Sequence, residues 1–354
     1  MPGYAGRSFA EGTGRLTGGI LYDYMVGLHF QRQGWPVEHF DLETLPRFAK
    51  ALRFPAHGRI AKACGTDYDV LITDLGNSSL NLGLQRSAAG RGKLTVLLCH
   101  HFRAGLERTL LKRMLYRFTE RRIVSEAALL VANSPHTASV LISMGRNRDD
   151  IVLAPPGLSV PRADSPRFRE LPLEVLMVGS IEPRKGVLDA VRALAASGLD
   201  DVRLTIAGES GTPADYLREV RGLIEGSDLG ARVRLTGRLD SEALSAAYRE
   251  ADAFMLLSRW EGYGMAIAEA MASGLPVIST TAGAIPGLVE HGVSGLLAEP
   301  GDWKAAGAFL RSLLTDSDLR LRLSQGALEK SRGFPTWEES TGRIFDAVAG
   351  RLRQ

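Results

Sequence analysis

Two glutamates and a lysine stand at spacings suited to gripping an anion that also carries many hydroxyls. Glu261 and Glu269 lie eight positions apart in the run from Ser258 to Ile278, with Gly262, Gly264, Met265 and Ala266 between them. The two glycines let the backbone turn tightly and approach a ligand, so a helix is predicted to begin near Met265. The free amides of its first turn, added to the positive end of the helix dipole, make a phosphate site. A carboxylate aimed at phosphate would repel it, so the glutamates are read as hydrogen-bond acceptors for neutral hydroxyls of the same ligand. A molecule both phosphorylated and rich in hydroxyls is a nucleotide sugar.

Other residue groups compete for chemistry. Lys185 follows Pro183 and Arg184 just past an expected strand end, where its ammonium would meet a diphosphate. Gly179 and Ser180 share that strand end, and Gly237 and Arg238 sit at another. Gly12 to Gly19 invites a dinucleotide reading, which fails because the third glycine is one position late and no strand precedes it; Gly18 and Gly19 read better as a glycine loop facing donor phosphates. Cys99, His100 and His101 look like metal ligands, yet neighbours on a strand point to opposite faces and no Cys or His pair stands at zinc spacing. No metal or cofactor is expected. Asp67 and Asp69 precede a strand, at the wrong end of a parallel sheet for a ligand, and are read as structural.

These residues need a scaffold that brings loop ends together. From Leu173 to Thr280 the sequence alternates short apolar strands with amphipathic helices, a pattern of parallel sheet wrapped by helices with ligands at the carboxyl ends of the strands. Strands are predicted at 174–178, 203–207, 232–235, 253–257 and 276–280, with helices at 187–196, 216–224, 267–272 and one capped by Ser241 running to Tyr248. The first half reads similarly, with strands at 37–40, 70–73, 94–98, 129–132 and 151–154. A proline-rich, charged stretch suits a linker, giving domains at 1–160 and 173–335 around a linker at 161–172.

The spacing of Glu261 and Glu269 resembles the E-x7-E signature of family 4 of the retaining glycosyltransferases, which have the GT-B fold. Gly179 to Gly186, Leu204 to Gly208 and Gly292 to Leu297 follow in family order, so the resemblance covers roughly residues 130 to 340. It implies two Rossmann-like α/β domains facing across a cleft, with a last helix at 336–354 crossing back to the first domain. It also implies a retaining transfer of a hexose-type sugar from a nucleotide diphosphate sugar, UDP-sugar by preference, to a hydroxyl acceptor. By the same resemblance Lys185 neutralises the departing diphosphate, Glu269 holds the ribose, Glu261 the transferred sugar, and a histidine, His100 or His101, faces the reaction centre. Three departures stand out. Ser180 replaces a usual arginine, leaving Arg184 to substitute; Gly287 replaces a usual glutamate; and the first strand of the family is missing before Gly3. A nucleotide-sugar 2-epimerase and a non-catalytic binding protein are the rival readings.

Bulk properties exclude other classes. A formal charge of +3 over 354 residues gives nucleic-acid binding no support. No apolar run reaches membrane-spanning length and no signal peptide is evident, so the chain reads as cytoplasmic, and Cys64 and Cys99 as free thiols. The stretch Leu106 to Ile123 is basic and amphipathic. Its apolar side, with Leu111, Met114, Leu115 and Phe118, is expected to cover the sheet; the alternative use is contact with an anionic membrane at the inner surface.

Overall fold

Ten strands in two parallel sheets carry the described part of the chain, a computed structural model that describes residues 17–39, 68–75, 78–105, 107, 109–166, 173–210 and 214–354. The chain divides into two compact units, one of residues 1–157 with 335–354 and the other of 158–334. The expectations placed on residues 1–16, on Phe40, on Cys64 and on Asp67 lie outside the described residues. Val37 to His39, expected to open a strand, run as irregular backbone.

In the first unit, β1 (Val70–Asp74), β2 (Leu94–Cys99), β3 (Leu129–Ala132) and β4 (Ile151–Leu153) pair in that order, all parallel. Their near-continuous apolar runs fit strands covered on both faces. Helix α1 (Gly18–Arg32) begins at Thr17, whose hydroxyl accepts the Ile20 amide, so Gly18 and Gly19 form the first turn of a helix rather than a loop. Helices α2 (Ser78–Ala89), α3 (Leu110–Glu126) and α4 (Pro135–Ser143) follow. The last helix of the chain, α12 (Trp337–Leu352), packs in this unit: Ile344 and Val348 join the core beside Tyr22, Val26 and Phe30, and Phe345 meets the Phe30 and Trp35 rings edge-on. Helix α3 overturns one expectation. Its Leu110, Leu111, Met114, Leu115 and Phe118 face solvent, while Glu120, Ile123 and Val124 are its buried residues.

In the second unit, β5 (Leu173–Val178), β6 (Val202–Ala207), β7 (Val233–Gly237), β8 (Ala253–Met255), β9 (Val277–Thr280) and β10 (Gly295–Ala298) form one sheet ordered β10-β9-β8-β5-β6-β7. Chain order therefore runs outward from β5 in one direction, then restarts at β8 and runs outward in the other. That reversal is the switch point of a doubly wound sheet, where the loops following β5 and β8 part and leave a crevice. Helices α5 (Val187–Ser197), α6 (Ala214–Gly226), α7 (Ser241–Glu250), α8 (Met265–Ala272), α9 (Ile285–Leu288), α10 (Trp303–Thr315) and α11 (Ser317–Ser331) complete the unit. Asp240, not Ser241, caps α7, its carboxylate accepting the Ala243 amide at 2.8 Å, because the cap lies one residue before the first helical position. Of the expected linker, residues 161–166 are described and are fastened here: the Arg162 guanidinium donates to the carbonyls of Ser331 and Phe334, and Ala163 N–H to Ala272 C=O at 2.8 Å.

Thr336 and Glu339 form a capping box at the start of α12, each side chain binding the other residue's backbone amide. Thr336→Ala removes one half of it and is expected to lower unfolding free energy by about 1 kcal/mol, read from denaturant midpoints at unchanged slope.

Candidate active site

The switch point of the second unit brings together two side chains 76 residues apart in sequence. Lys185, in the single turn Pro183–Lys185 after β5, donates to Glu261 Oε1 at 2.6 Å, and Glu261 stands in the loop after β8. The turn ends at Gly186, whose φ of 70° and contact with the next loop both require glycine, since a Cβ there would overlap the carbonyl oxygen of Leu257. Gly179 lies under the lysine stem, where a Cβ would stand 3.4 Å from Lys185 Cδ.

Glu261 is 6% exposed and heavily supported. Ser258, fully buried, donates its hydroxyl to the same Oε1 at 2.7 Å, and Arg184 Nη1 lies 3.6 Å from Oε2. Burial alone would push this carboxyl up; Lys185 and Arg184, helped by the Ser258 hydroxyl, outweigh it and hold the group below the usual carboxylate range. An ionised, oriented carboxylate accepts hydrogen bonds and does not donate them. Arg184, suggested above as a substitute cation for the diphosphate, is committed to the loop: Nη2 binds Glu182 Oε1 at 2.6 Å and Nη1 donates to Trp260 C=O at 3.3 Å.

The loop carrying Glu261 is clamped along its length. Arg259 N–H donates to Arg184 C=O at 2.7 Å, the Thr280 hydroxyl to Ser258 C=O at 2.6 Å, and Ala284 N–H to Glu261 C=O at 2.9 Å. Arg259 also reaches the buried Asp189 of α5 at 2.8 Å. Three residues past Glu261 the chain reaches Gly264, left-handed at φ 103°, from which α8 starts at Met265. No side chain caps this end, and the first helical bond is Ala268 N–H to Gly264 C=O, so the amides of Met265 and Ala266 have no intrahelical partner.

Glu269, one turn into α8, is in a different setting. It is 7% exposed and accepts the Tyr248 hydroxyl of α7 at 3.0 Å. Burial pushes its carboxyl up to about 7, a rise the Tyr248 bond only partly opposes. Sequence reasoning missed Tyr248, which is 21 positions away and looks like an ordinary core aromatic; Ser258 was equally unassigned, though it opens the glycine-rich run. Ser180 stands beside Gly179, half-buried, and Arg238 is exposed after β7.

The first unit holds its own polar cluster at the end of β2. His100 Nε2 meets Asp23 Oδ1 of α1 at 2.7 Å, the Tyr22 ring stands edge-on to the imidazole at 5.2 Å, and Asn133 donates to the His100 carbonyl at 3.0 Å. Burial lowers the imidazole's proton affinity, but Asp23 more than restores it, so His100 titrates above its ordinary value. Gly19 lies beneath the ring, where a Cβ would be 3.4 Å from Cδ2. His101 is exposed. Asp23 was the partner sequence reasoning missed, and its only signal was the four-residue spacing from Gly19 on one helix face. Among the described residues, no group of three or more potential ligands could hold a metal ion.

Comparison with known proteins locates this arrangement. Residues 163–330 match the family model "Glycosyl transferases group 1". A D-inositol 3-phosphate glycosyltransferase of Nocardia farcinica is 32% identical over 258 residues, 66% of this chain and 55% of that protein. The chain thus spans less than two thirds of the length of the curated relatives it matches. In fold, sucrose-phosphate synthase from Thermosynechococcus elongatus superposes with a TM-score of 0.77 at 20% identity, covering 95% of this chain and 94% of that one. The Anabaena protein HepE, solved in complex with UDP-glucose, gives 0.69 at 19% identity over 91% and 88%. The two-sheet α/β architecture is that of GT-B glycosyltransferases.

The Glu269 carboxyl makes a prediction about pH. Its folded value lies above its ordinary 4.5, so the stability it contributes is complete below about 4.5 and is lost as pH rises through about 7. Glu269→Gln should flatten that decline relative to the unaltered, ligand-free protein, measured as thermal midpoints across this range.

Proposed function

We propose that the chain is a retaining glycosyltransferase that moves a hexose-type sugar from a nucleotide diphosphate sugar, with UDP as the nucleotide, to a hydroxyl acceptor. One observation carries the reading: a lysine ammonium and an ionised, buried carboxylate meet at the switch point of a doubly wound sheet, four residues before the start of a helix that no side chain caps. The family match and the UDP-glucose bound by HepE support it. The D-inositol 3-phosphate glycosyltransferase relatives support an acceptor that is itself a sugar or polyol, phosphorylated or free.

In this reading Lys185 keeps one donor on Glu261 and turns another to the diphosphate, whose charge the amides of Met265 and Ala266 share. Glu261 accepts from hydroxyls of the sugar, and Glu269 from the ribose. Transfer breaks the bond between the anomeric carbon and the diphosphate oxygen, forms one to the acceptor oxygen on the same face, and passes the acceptor proton to the departing diphosphate. Negative charge grows on that diphosphate as the bond breaks, so a fixed ammonium and fixed amides lower the barrier more than they stabilise the bound donor. No covalent carboxylate intermediate is required; Glu261, already bound to Lys185 and Ser258, is suited to positioning. An epimerase would need no acceptor, and nothing favours that reading.

Thermal stabilisation across a panel of nucleotide diphosphates and their sugars tests the donor, since a ligand at a hundred times its Kd adds about 2.7 kcal/mol. UDP and a UDP-hexose should stabilise and the free hexose should not. Lys185→Ala and Glu261→Ala should each reduce transfer by about two orders of magnitude or more. The two should differ in binding: Lys185→Ala, which leaves Glu261 with Arg184 as its remaining cation, loses UDP, whereas Glu261→Ala keeps UDP and loses the preference for the sugar-bearing form. Full turnover in both variants would refute the assignment.

A further inference from the structure

Among the described residues eleven large apolar side chains are exposed, and five of them lie on α3: Leu110 at 71%, Leu111 at 78%, Met114 at 69%, Leu115 at 49% and Phe118 at 64%. Their spacing puts them on one side of the helix. Glu120, Ile123 and Val124, which fix α3 to its own unit, lie on the other. A helix that covers a sheet turns its apolar side inward. This one holds its place through the second half of its length and turns a separate apolar stripe outward.

The stripe is edged by positive charge. Lys112, Arg113, Arg117, Arg121 and Arg122 are all exposed on α3, whereas its two acids are occupied elsewhere. Glu120 is buried and accepts the amides of Arg103 and Ala104, and Glu126 pairs with Arg86 at 2.6 Å. The outward face is therefore apolar along its middle and cationic along both margins, the profile of a helix lying in the plane of a lipid interface. Pairing with a second copy would set arginines beside arginines around the buried stripe, at a repulsive cost, while anionic headgroups neutralise them.

We propose that α3 docks the protein on an anionic bilayer, inserting Leu111, Met114, Leu115 and Phe118 among the acyl chains while the flanking lysine and arginines bind lipid phosphates. The five basic residues contribute attraction within a Debye length of the surface, and the stripe contributes insertion that salt does not screen. This docking is independent of the donor chemistry in the second unit.

Cosedimentation with phosphatidylcholine vesicles, with and without phosphatidylglycerol, tests the proposal on the full chain. The protein should bind the mixed vesicles about tenfold or more better than pure phosphatidylcholine. Leu111→Ser combined with Phe118→Ser should weaken binding about tenfold or more at an unchanged thermal midpoint, since both sites are already exposed in the folded protein. A measurement on the unaltered protein stands apart from any folding defect: binding should fall but persist at about 0.5 M salt, where surface attraction is largely screened. No sedimentation with the anionic vesicles, complete release at that salt, or full binding by the double variant overturns the proposal. So does a lipid-free dimer that the double variant converts to monomer, which would make the stripe an interface between copies. UDP stabilisation should be equal in the variant and the unaltered protein, so a failure here leaves the donor reading intact, and the reverse.

Discussion

The contact between Lys185 and Glu261 is what the second unit is built around. A carboxylate at 6% exposure would rise in pKa and lose its charge without a compensating cation. Lys185, with Arg184 beside it, keeps Glu261 ionised. The fold's contribution is topological: only at the junction of β5 and β8 do two loops from distant parts of the chain emerge side by side from neighbouring parallel strands. Glycine at 186 then lets the first loop pass against Leu257 at the foot of the second.

The two glutamates of the run from Ser258 have the same chemistry in isolation and opposite behaviour in place. Glu261 faces two cations and a hydroxyl and stays ionised; Glu269 faces one tyrosine hydroxyl within packed helix and titrates near neutrality. One is a permanent acceptor. The other gains acceptor character as its proton leaves, so at neutral pH the site carries one fixed and one adjustable carboxylate.

Much of this was legible in the residues, and the rest was not for identifiable reasons. Alternating apolar runs and helix patterns located β1 to β9 to within a residue or two, though β10 was not read as a strand and the one expected from Val37 is absent over residues 37–39, and the glycine-flanked start of α8 at Met265 followed from backbone freedom at Gly264. Partners across the sequence were invisible: Asp23 for His100, Tyr248 for Glu269 and Arg184 for its own neighbouring loop depend on how helices and loops fold back on a sheet. Helix α3 was misread because amphipathic periodicity shows that a helix has an apolar side, and says nothing of which side the protein covers. Its anchor is Glu120, a charged residue with a raised pKa that periodicity would assign to solvent.

The clamping of the loop from Ser258 to Glu261 by Arg184, Thr280 and Ala284 has a bearing on discrimination. A stiff acceptor that is already sunk in the protein cannot swing out to water when a guest lacks the matching hydroxyl. For the proposed donor, exclusion of near-miss sugars would then come from the penalty of leaving that oxygen unanswered, which runs to several powers of ten when a built polar site goes unmatched, against a far smaller factor for a missing methylene in a greasy one. Selectivity of this kind is strongest toward deoxy analogues and weakest toward those that keep the hydroxyl and vary elsewhere.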